Sequence, residues 1–166
     1  LLGLRRAVLA QACADQGLEP WHDPHNGDEG FARVRVRRSI LPYLEEHLDA
    51  GIVEALARTA AIAREDAEAL DHMVDELAED LTDLAEGGCS LAVAGLLINP
   101  PAIRHRLIRL IVQSQFGASI SRAQTLEVAR LATDWHGQGP VHLPGVRVER
   151  TAGLIIFALA PDHAEE

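Results

Sequence analysis

Two groups of side chains in this sequence have the types and spacing to do chemistry. The first is an arginine cluster, Arg33, Arg35, Arg37 and Arg38, placed just after the turn-rich stretch Asp23-Pro24-His25-Asn26-Gly27-Asp28. On a helix Arg33 and Arg37 lie four apart and share a face, while Arg35 and Arg38 point elsewhere. Two guanidinium groups on one face suit a phosphate, which arginine holds bidentately. The same pair, with Asp23, Asn26 and Asp28 as the structural turn, suits equally an internal arginine–carboxylate network tying turn to helix. The second group is Arg106, Arg109 and Gln113, a polar stripe separate from the apolar face Ile103, Leu107, Leu110 and Ile111. Such a stripe either follows an RNA backbone or is an ordinary wetted helix face.

Other chemistries lack their signatures. No glycine-rich phosphate loop of the GxxxxGK[ST] or GxGxxG kind is present, and no serine sits in a nucleophile elbow. His22 and His25 flank Asp23-Pro24, but no second ligand cluster accompanies them, so no metal site is expected. Asp71, His72, Asp75 and Glu76 have no matching ligands on another helix and read as a solvated face. Cys13 and Cys89 are too few for a disulfide framework, and a reducing cytoplasm is the expected compartment. No apolar run reaches the roughly 18 residues of a membrane span. Six aromatic residues are few to line a ligand pocket.

All 15 basic residues are arginine, and the formal net charge is −10. That charge is segregated: residues 1–50 carry −2, residues 51–88 carry −9 and residues 89–166 carry +1. Salt screens fields beyond roughly 8 Å, so the local arginine clusters keep an anionic partner open despite the acidic total. The sequence starts Leu1-Leu2-Gly3-Leu4 and holds one methionine, Met73, which reads as a piece of a longer protein.

These groups need elements to position them. Leu1 to Gln16 is a predicted helix stopped by Gly17, and Phe31 to His47 a second, kinked or restarted near Pro42. Ile52, Leu56, Ala60, Ala63, Leu70, Val74, Leu77, Leu81 and Leu84 recur at helical steps, predicting one long acidic helix from Ile52 to about Leu84. Gly87-Gly88 is the expected subdomain boundary. Leu91 to Ile98 is a predicted short apolar helix. Asn99 is the expected N-cap of a helix reaching Gln115, and Ser121 with Gln124 opens another through a capping box. Val141 to Leu143, Val146 to Arg150 and Leu154 to Leu159 are three predicted strands, followed by a frayed tail from Pro161 to Glu166. The expected fold is mainly α: a helical bundle with one long helix and a small C-terminal antiparallel β meander.

The run Trp21-His22-Asp23-Pro24-His25-Asn26, then Phe31, Arg33 and Arg37, then Ile40-Leu41-Pro42-Tyr43-Leu44-Glu45, resembles the tRNA(Ile)-lysidine synthetase family. That family carries an Asp-x-Ser/Thr-Asn turn, an aromatic residue, an Arg-Asn-x-x-Arg helix start and a Leu-Pro-x-Leu-Glu continuation. Glu54 to Ala60, Asp66 to Asp71, Arg104 to Leu110 and Gly139 to Gly145 are similar to its later portions, especially in high-GC actinobacterial members. His25 stands where Ser or Thr is usual, and Val34 where the family has Asn.

The resemblance implies an ATP-dependent ligase of the PP-loop class, its N-terminal catalytic loop lying outside this sequence. It implies attachment of lysine to the wobble cytidine of isoleucine tRNA with a CAU anticodon. ATP, magnesium, L-lysine and tRNA(Ile) are then needed by the full-length enzyme, with no cofactor bound by this part alone and no membrane partner; a homodimer is left open. Residues 1–50 are expected to end the catalytic domain, 51–88 to form a connecting helix, and 89–166 to contact tRNA. Arg33 and Arg37 are the expected charge-stabilising catalytic residues; Arg106, Arg109 and Gln113 the expected tRNA contacts. The rival reading is a non-enzymatic helical protein-interaction module.

Overall fold

The computed structural model describes residues 3–4, 6–85 and 87–160. The expected tail from Pro161 lies outside them, as do Leu1, Leu2 and Arg5 of the first helix. The chain divides into two compact units, residues 1–60 and 61–166, the division falling within the long helix.

In the first unit, helix α1 spans Arg6–Asp15, and Gly17 follows it with φ +67°. A single turn of 3-10 helix, Pro24–Asn26, precedes α2, Ala32–Arg35. The chain then widens into a π-helical turn, Val36–Ile40, and returns to α geometry in α3, Leu41–His47. Pro42 explains the widening. It brings no N–H and crowds the preceding turn, and the Leu41 N–H reaches back to the Val36 carbonyl instead. The predicted kink near Pro42 is thus a π turn just before the proline. Only Val34 is fully buried among the described residues of this unit, while Leu18, Trp21, Tyr43 and Leu48 stand exposed.

Helix α4 spans Ile52–Leu81. Leu70, Val74, Leu77 and Leu81 of its predicted stripe pack on the core of the second unit, whereas Leu56 is exposed. The helix ends earlier than predicted. Thr82–Ala85 is strand β1, not a last helical turn, and Leu84 is exposed on it. Gly88–Ala92 is β2, so only Val93–Ile98 of the predicted apolar helix is helical, as α5. Gly87-Gly88 is accordingly the turn and start of a hairpin inside the second unit.

Asn99 is corrected too. It terminates α5, its side-chain Nδ2 donating to the Gly95 carbonyl at 2.8 Å, while Pro100 is the cap of α6, Pro101–Phe116. Proline at the first helical position needs no N–H there, so the two prolines start the helix without help from Asn99. Gly117 ends α6 at φ +65°, which favours glycine. The capping box forms as predicted: the Gln124 N–H donates to Ser121 Oγ and the Ser121 N–H to Gln124 Oε1, opening α7, Arg122–Thr133.

The predicted meander is present as β3, Val141–Leu143, β4, Val146–Thr151, and β5, Leu154–Leu159. It is part of a larger sheet, ordered β1-β2-β5-β4-β3 and antiparallel throughout, because β2 pairs with β5 from Gly88↔Ala158 to Ala92↔Leu154. Alternation along the strands turns Leu91, Val146, Val148, Ile155 and Phe157 to the core, where Leu96, Leu107, Ile108, Ile111, Val112, Val128 and Leu131 of the helices meet them. This core seats the apolar face of α6 and leaves its polar stripe outside the core. Among the described residues no helix is long and apolar enough to cross a membrane.

Candidate nucleic-acid interface

In the second unit, the polar stripe of α6 faces α4 across a cleft of about 460 Å³, lined among others by Asp71, Asp75, Arg106, Arg109, Gln113 and Ser119. The helical period brings Arg106, Arg109 and Gln113 together as the spacing predicted. Arg106 is half-buried; its Nε donates to Asp71 Oδ1 at 2.8 Å. Gln113 Oε1 accepts from Ser119 Oγ at 2.9 Å, since the turn after Gly117 folds Ser119 back onto α6. Asp71, read from sequence as a solvated acid, is therefore the partner of an expected RNA contact. Neither it nor Ser119 was legible, because α4 and the turn after α6 meet this helix only in the fold.

The arginines after residue 100 divide into committed and free ones. Arg104 donates to the Leu96 and Asn99 carbonyls and so locks α6 to the end of α5. Arg130 pairs with Glu127, and Arg147 makes a bidentate pair with Glu149 at 2.8 and 2.7 Å. Arg150 donates to the Leu131 carbonyl and lies over the Trp135 ring, 5.0 Å from its centroid. Among the described residues Arg109 and Arg122 have no hydrogen-bond or ion-pair partner. Partial burial and the neighbouring Arg104, Arg122 and Arg109 guanidinium groups hold the His105 pKa below the usual imidazole value.

The first unit holds a polar cleft of about 480 Å³, lined by Arg6, His22, Asp23, Pro24, Asn26, Gly27, Arg37 and Arg38. Its geometry differs from the arginine–carboxylate network that is one of the two sequence readings of the arginine cluster. Arg37 Nη2 donates to the Asn26 carbonyl at 2.6 Å and Arg38 Nη1 to the Gly27 carbonyl at 3.3 Å. Arg35, expected to point away, donates to the Glu29 and Gly30 carbonyls at 2.6 and 2.9 Å. Arg33 instead lies over the Phe31 ring, 4.7 Å from its centroid, with the His25 ring edge-on to Phe31 at 5.9 Å. The carboxylates are not the tether, because they close their own turns. Asp23 Oδ1 accepts from the His25 N–H and lies 2.9 Å from its Nδ1, and Asp28 Oδ1 accepts from the Gly30 N–H. Short aspartate side chains bond most readily two residues on, which leaves main-chain carbonyls to receive the arginines.

No three His, Cys, Asp or Glu side chains converge on a metal-sized site among the described residues. Cys13 and Cys89 are free thiols, and burial pushes the Cys89 pKa up to about 11.

Comparison with known proteins bears on these surfaces. Residues 91–154 match the family described as the TilS substrate binding domain. The chain is 56% identical over 157 residues to a tRNA(Ile)-lysidine synthase of Leifsonia xyli, covering 94% of this chain and 47% of that protein. It is 46% identical over 152 residues to one from Mycolicibacterium paratuberculosis, covering 89% and 46%, and 41% identical over 148 residues to one from Thermobifida fusca, covering 88% and 45%. The chain thus spans about half the length of these curated relatives.

Proposed function

The chain belongs to the tRNA(Ile)-lysidine synthase family, and from that membership we propose that it grips tRNA and supports the active site of a ligase. The full reaction assigned to the protein uses ATP to adenylate the wobble cytidine of isoleucine tRNA bearing a CAU anticodon. L-Lysine then displaces AMP, leaving lysidine. The cytoplasm, where this tRNA is made, is the proposed compartment. The observation that carries the reading is the coincidence of the substrate-binding-domain stretch with α6, whose Arg106, Arg109 and Gln113 line an open cleft. Phosphate contacts of this kind position an RNA without reading its sequence.

In the first unit, Arg33 and Arg37 are proposed to stabilise negative charge that builds up during adenylation. A guanidinium does this without gaining or losing a proton. The Asn26 carbonyl fixes Arg37 through one of its five N–H groups, and the Phe31 ring orients Arg33 while using none. The exposed Leu18, Trp21, Tyr43 and Leu48 support assigning residues 1–50 to the end of a larger catalytic domain, which would cover them. Residues 51–88 then connect, and residues 89–166 contact tRNA. ATP and magnesium are assigned to the half of the family's length that this chain does not span. Magnesium needs converging oxygen ligands, and the acids among the described residues do not converge.

The test is single-turnover lysidine formation by a full-length family enzyme carrying this chain in place of its own corresponding half. Arg33→Ala and Arg37→Ala should slow the chemical step by about 10²- to 10³-fold with little change in melting temperature. Arg106→Ala and Arg109→Ala should weaken tRNA binding. If all four variants lose activity only in proportion to lost folded protein, the assignment fails.

A further inference from the structure

The cleft between α4 and α6 carries unlike charges that do not cancel. Asp71 and Asp75 lie one turn apart on α4 and line it together with Arg106, Arg109 and Gln113 of α6. Asp71 and Arg106 satisfy each other. Asp75 and Arg109 share the cleft without pairing: among the described residues neither has a hydrogen-bond or ion-pair partner, although Arg109 is half-buried. Gln113 Oε1 accepts from the Ser119 hydroxyl, and no described residue accepts from the Gln113 amide N–H groups. Val74, Leu110 and Ile120 add apolar surface to the same space.

A track for phosphates alone does not account for Asp75. A carboxylate beside a polyanion weakens its binding unless the ligand donates hydrogen bonds to that carboxylate. The occupant must therefore bring an anion for Arg109, N–H donors for Asp75 and an apolar surface for Val74, Leu110 and Ile120. A nucleotide of single-stranded RNA brings all three, since its base has apolar faces and a polar edge. The bases differ in that edge. Guanine alone sets two donors side by side, N1–H and the N2 amino group, which match the two oxygens of one carboxylate. Adenine and cytosine set one amino group beside a ring nitrogen whose lone pair repels the second oxygen, and uracil sets its N3–H between two carbonyls. In a duplex this edge is used up in pairing, so the base must be unpaired. The cleft, at about 460 Å³, is of ordinary size for a small-molecule site.

We propose that the α4–α6 cleft takes one unpaired guanosine of the RNA, Asp75 accepting from N1–H and the N2 amino group of the base and Arg109 holding a phosphate beside it. The proposal rests on the tRNA reading above and deepens it: Asp75 gives base selectivity to a surface that would otherwise only position the backbone.

The experiment is displacement of a labelled tRNA(Ile) transcript with a CAU anticodon from the whole chain by the single strands UUGUU, UUAUU, UUCUU and UUUUU, at one fixed salt concentration. UUGUU should compete about tenfold or more better than the other three. Inosine in place of the guanosine lacks the N2 amino group and should compete about threefold or more worse, a readout that needs no variant. Asp75→Asn should bring the four strands within about threefold of one another without weakening UUUUU. Arg109→Ala should weaken all four about equally and keep the preference. Failure of UUGUU to displace the transcript, equal competition by all four strands, inosine as good as guanosine, or a preference that persists in folded Asp75→Asn each overturns the proposal. Displacement by L-lysine but by no strand also overturns it, since the cleft would then hold an amino acid. If in those cases Arg106→Ala still weakens transcript binding, the tRNA reading stands and only the guanosine seat is lost. If the transcript itself does not bind, the tRNA reading falls with it.

Discussion

Asp71→Asn should strengthen tRNA binding, although it removes an ion pair. Arg106 is the most committed member of the proposed cleft: its Nε lies 2.8 Å from Asp71 Oδ1, with the arginine side chain 24% and the aspartate 65% exposed. A phosphate approaching the cleft must compete with that carboxylate and pass a negative charge. The pair is too exposed to be worth much, about 0.2–1 kcal/mol, so its loss costs the fold no more than that. The same energy released to the guanidinium gives a tightening of up to about fivefold, since about 1.4 kcal/mol is tenfold in a binding constant. Arg106→Ala should act the other way and weaken binding about tenfold, the worth of one charge-assisted hydrogen bond. In the Arg106→Ala background Asp71→Asn should return less than it does alone. The assay is filter binding or fluorescence anisotropy with a tRNA(Ile) transcript, accompanied by urea melts of all four proteins. If Asp71→Asn weakens binding as Arg106→Ala does, Asp71 is positioning the arginine rather than competing for it, and the reasoning is refuted.

Two further predictions concern the scaffold. At Gly88 a methyl group would run into the Phe157 carbonyl oxygen across the β2–β5 pairing, an obstacle of backbone that cannot swing aside, whereas at Gly139 it would meet nothing within 4 Å. Gly88→Ala should therefore cost about 3 kcal/mol or more in urea unfolding and Gly139→Ala less than about 0.5 kcal/mol; equal effects would mean that β2 does not pair with β5. With its pKa raised to about 11, the buried Cys89 thiol has roughly a thousandth of its population ionised at pH 8, so alkylation should be slow until the chain unfolds; labelling of native Cys89 as fast as that of a free thiol would contradict its burial.

The parts of the fold that were legible are those whose cause is local. Ser121 and Gln124 satisfy each other's main-chain neighbours within one turn, and the three strands of the meander are separated by Pro144-Gly145 and Ala152-Gly153, so both followed from short stretches. The hairpin β1–β2 was not legible. Thr82 to Ala85 continues the helical periodicity of α4, and the apolar run from Leu91 suits a helix or a buried strand; the partner that decides is β5, more than sixty residues away. Asn99 was misplaced because two prolines start a helix without a side-chain cap, and its amide was free to close the helix before it. The candidate interface was half legible. Spacing along α6 brought out Arg106, Arg109 and Gln113, but Asp71 and Ser119 join them only through tertiary packing. In the arginine cluster, the π turn before Pro42 and the self-closing aspartates redirected Arg35, Arg37 and Arg38 to main-chain carbonyls.

The central claim is that the polar surface of α6 holds an RNA backbone, and salt dependence tests it most directly. Two arginines, Arg106 and Arg109, on phosphates release about two counterions, so the logarithm of the tRNA affinity plotted against the logarithm of salt concentration should fall with a slope between about −1.4 and −1.8. Arg109→Ala, which removes a cation without a protein partner, should leave the fold intact and make that slope shallower by roughly 0.7–0.9. A folded wild-type chain whose tRNA binding is absent or indifferent to salt, or an Arg109→Ala variant with the wild-type slope, would contradict the account.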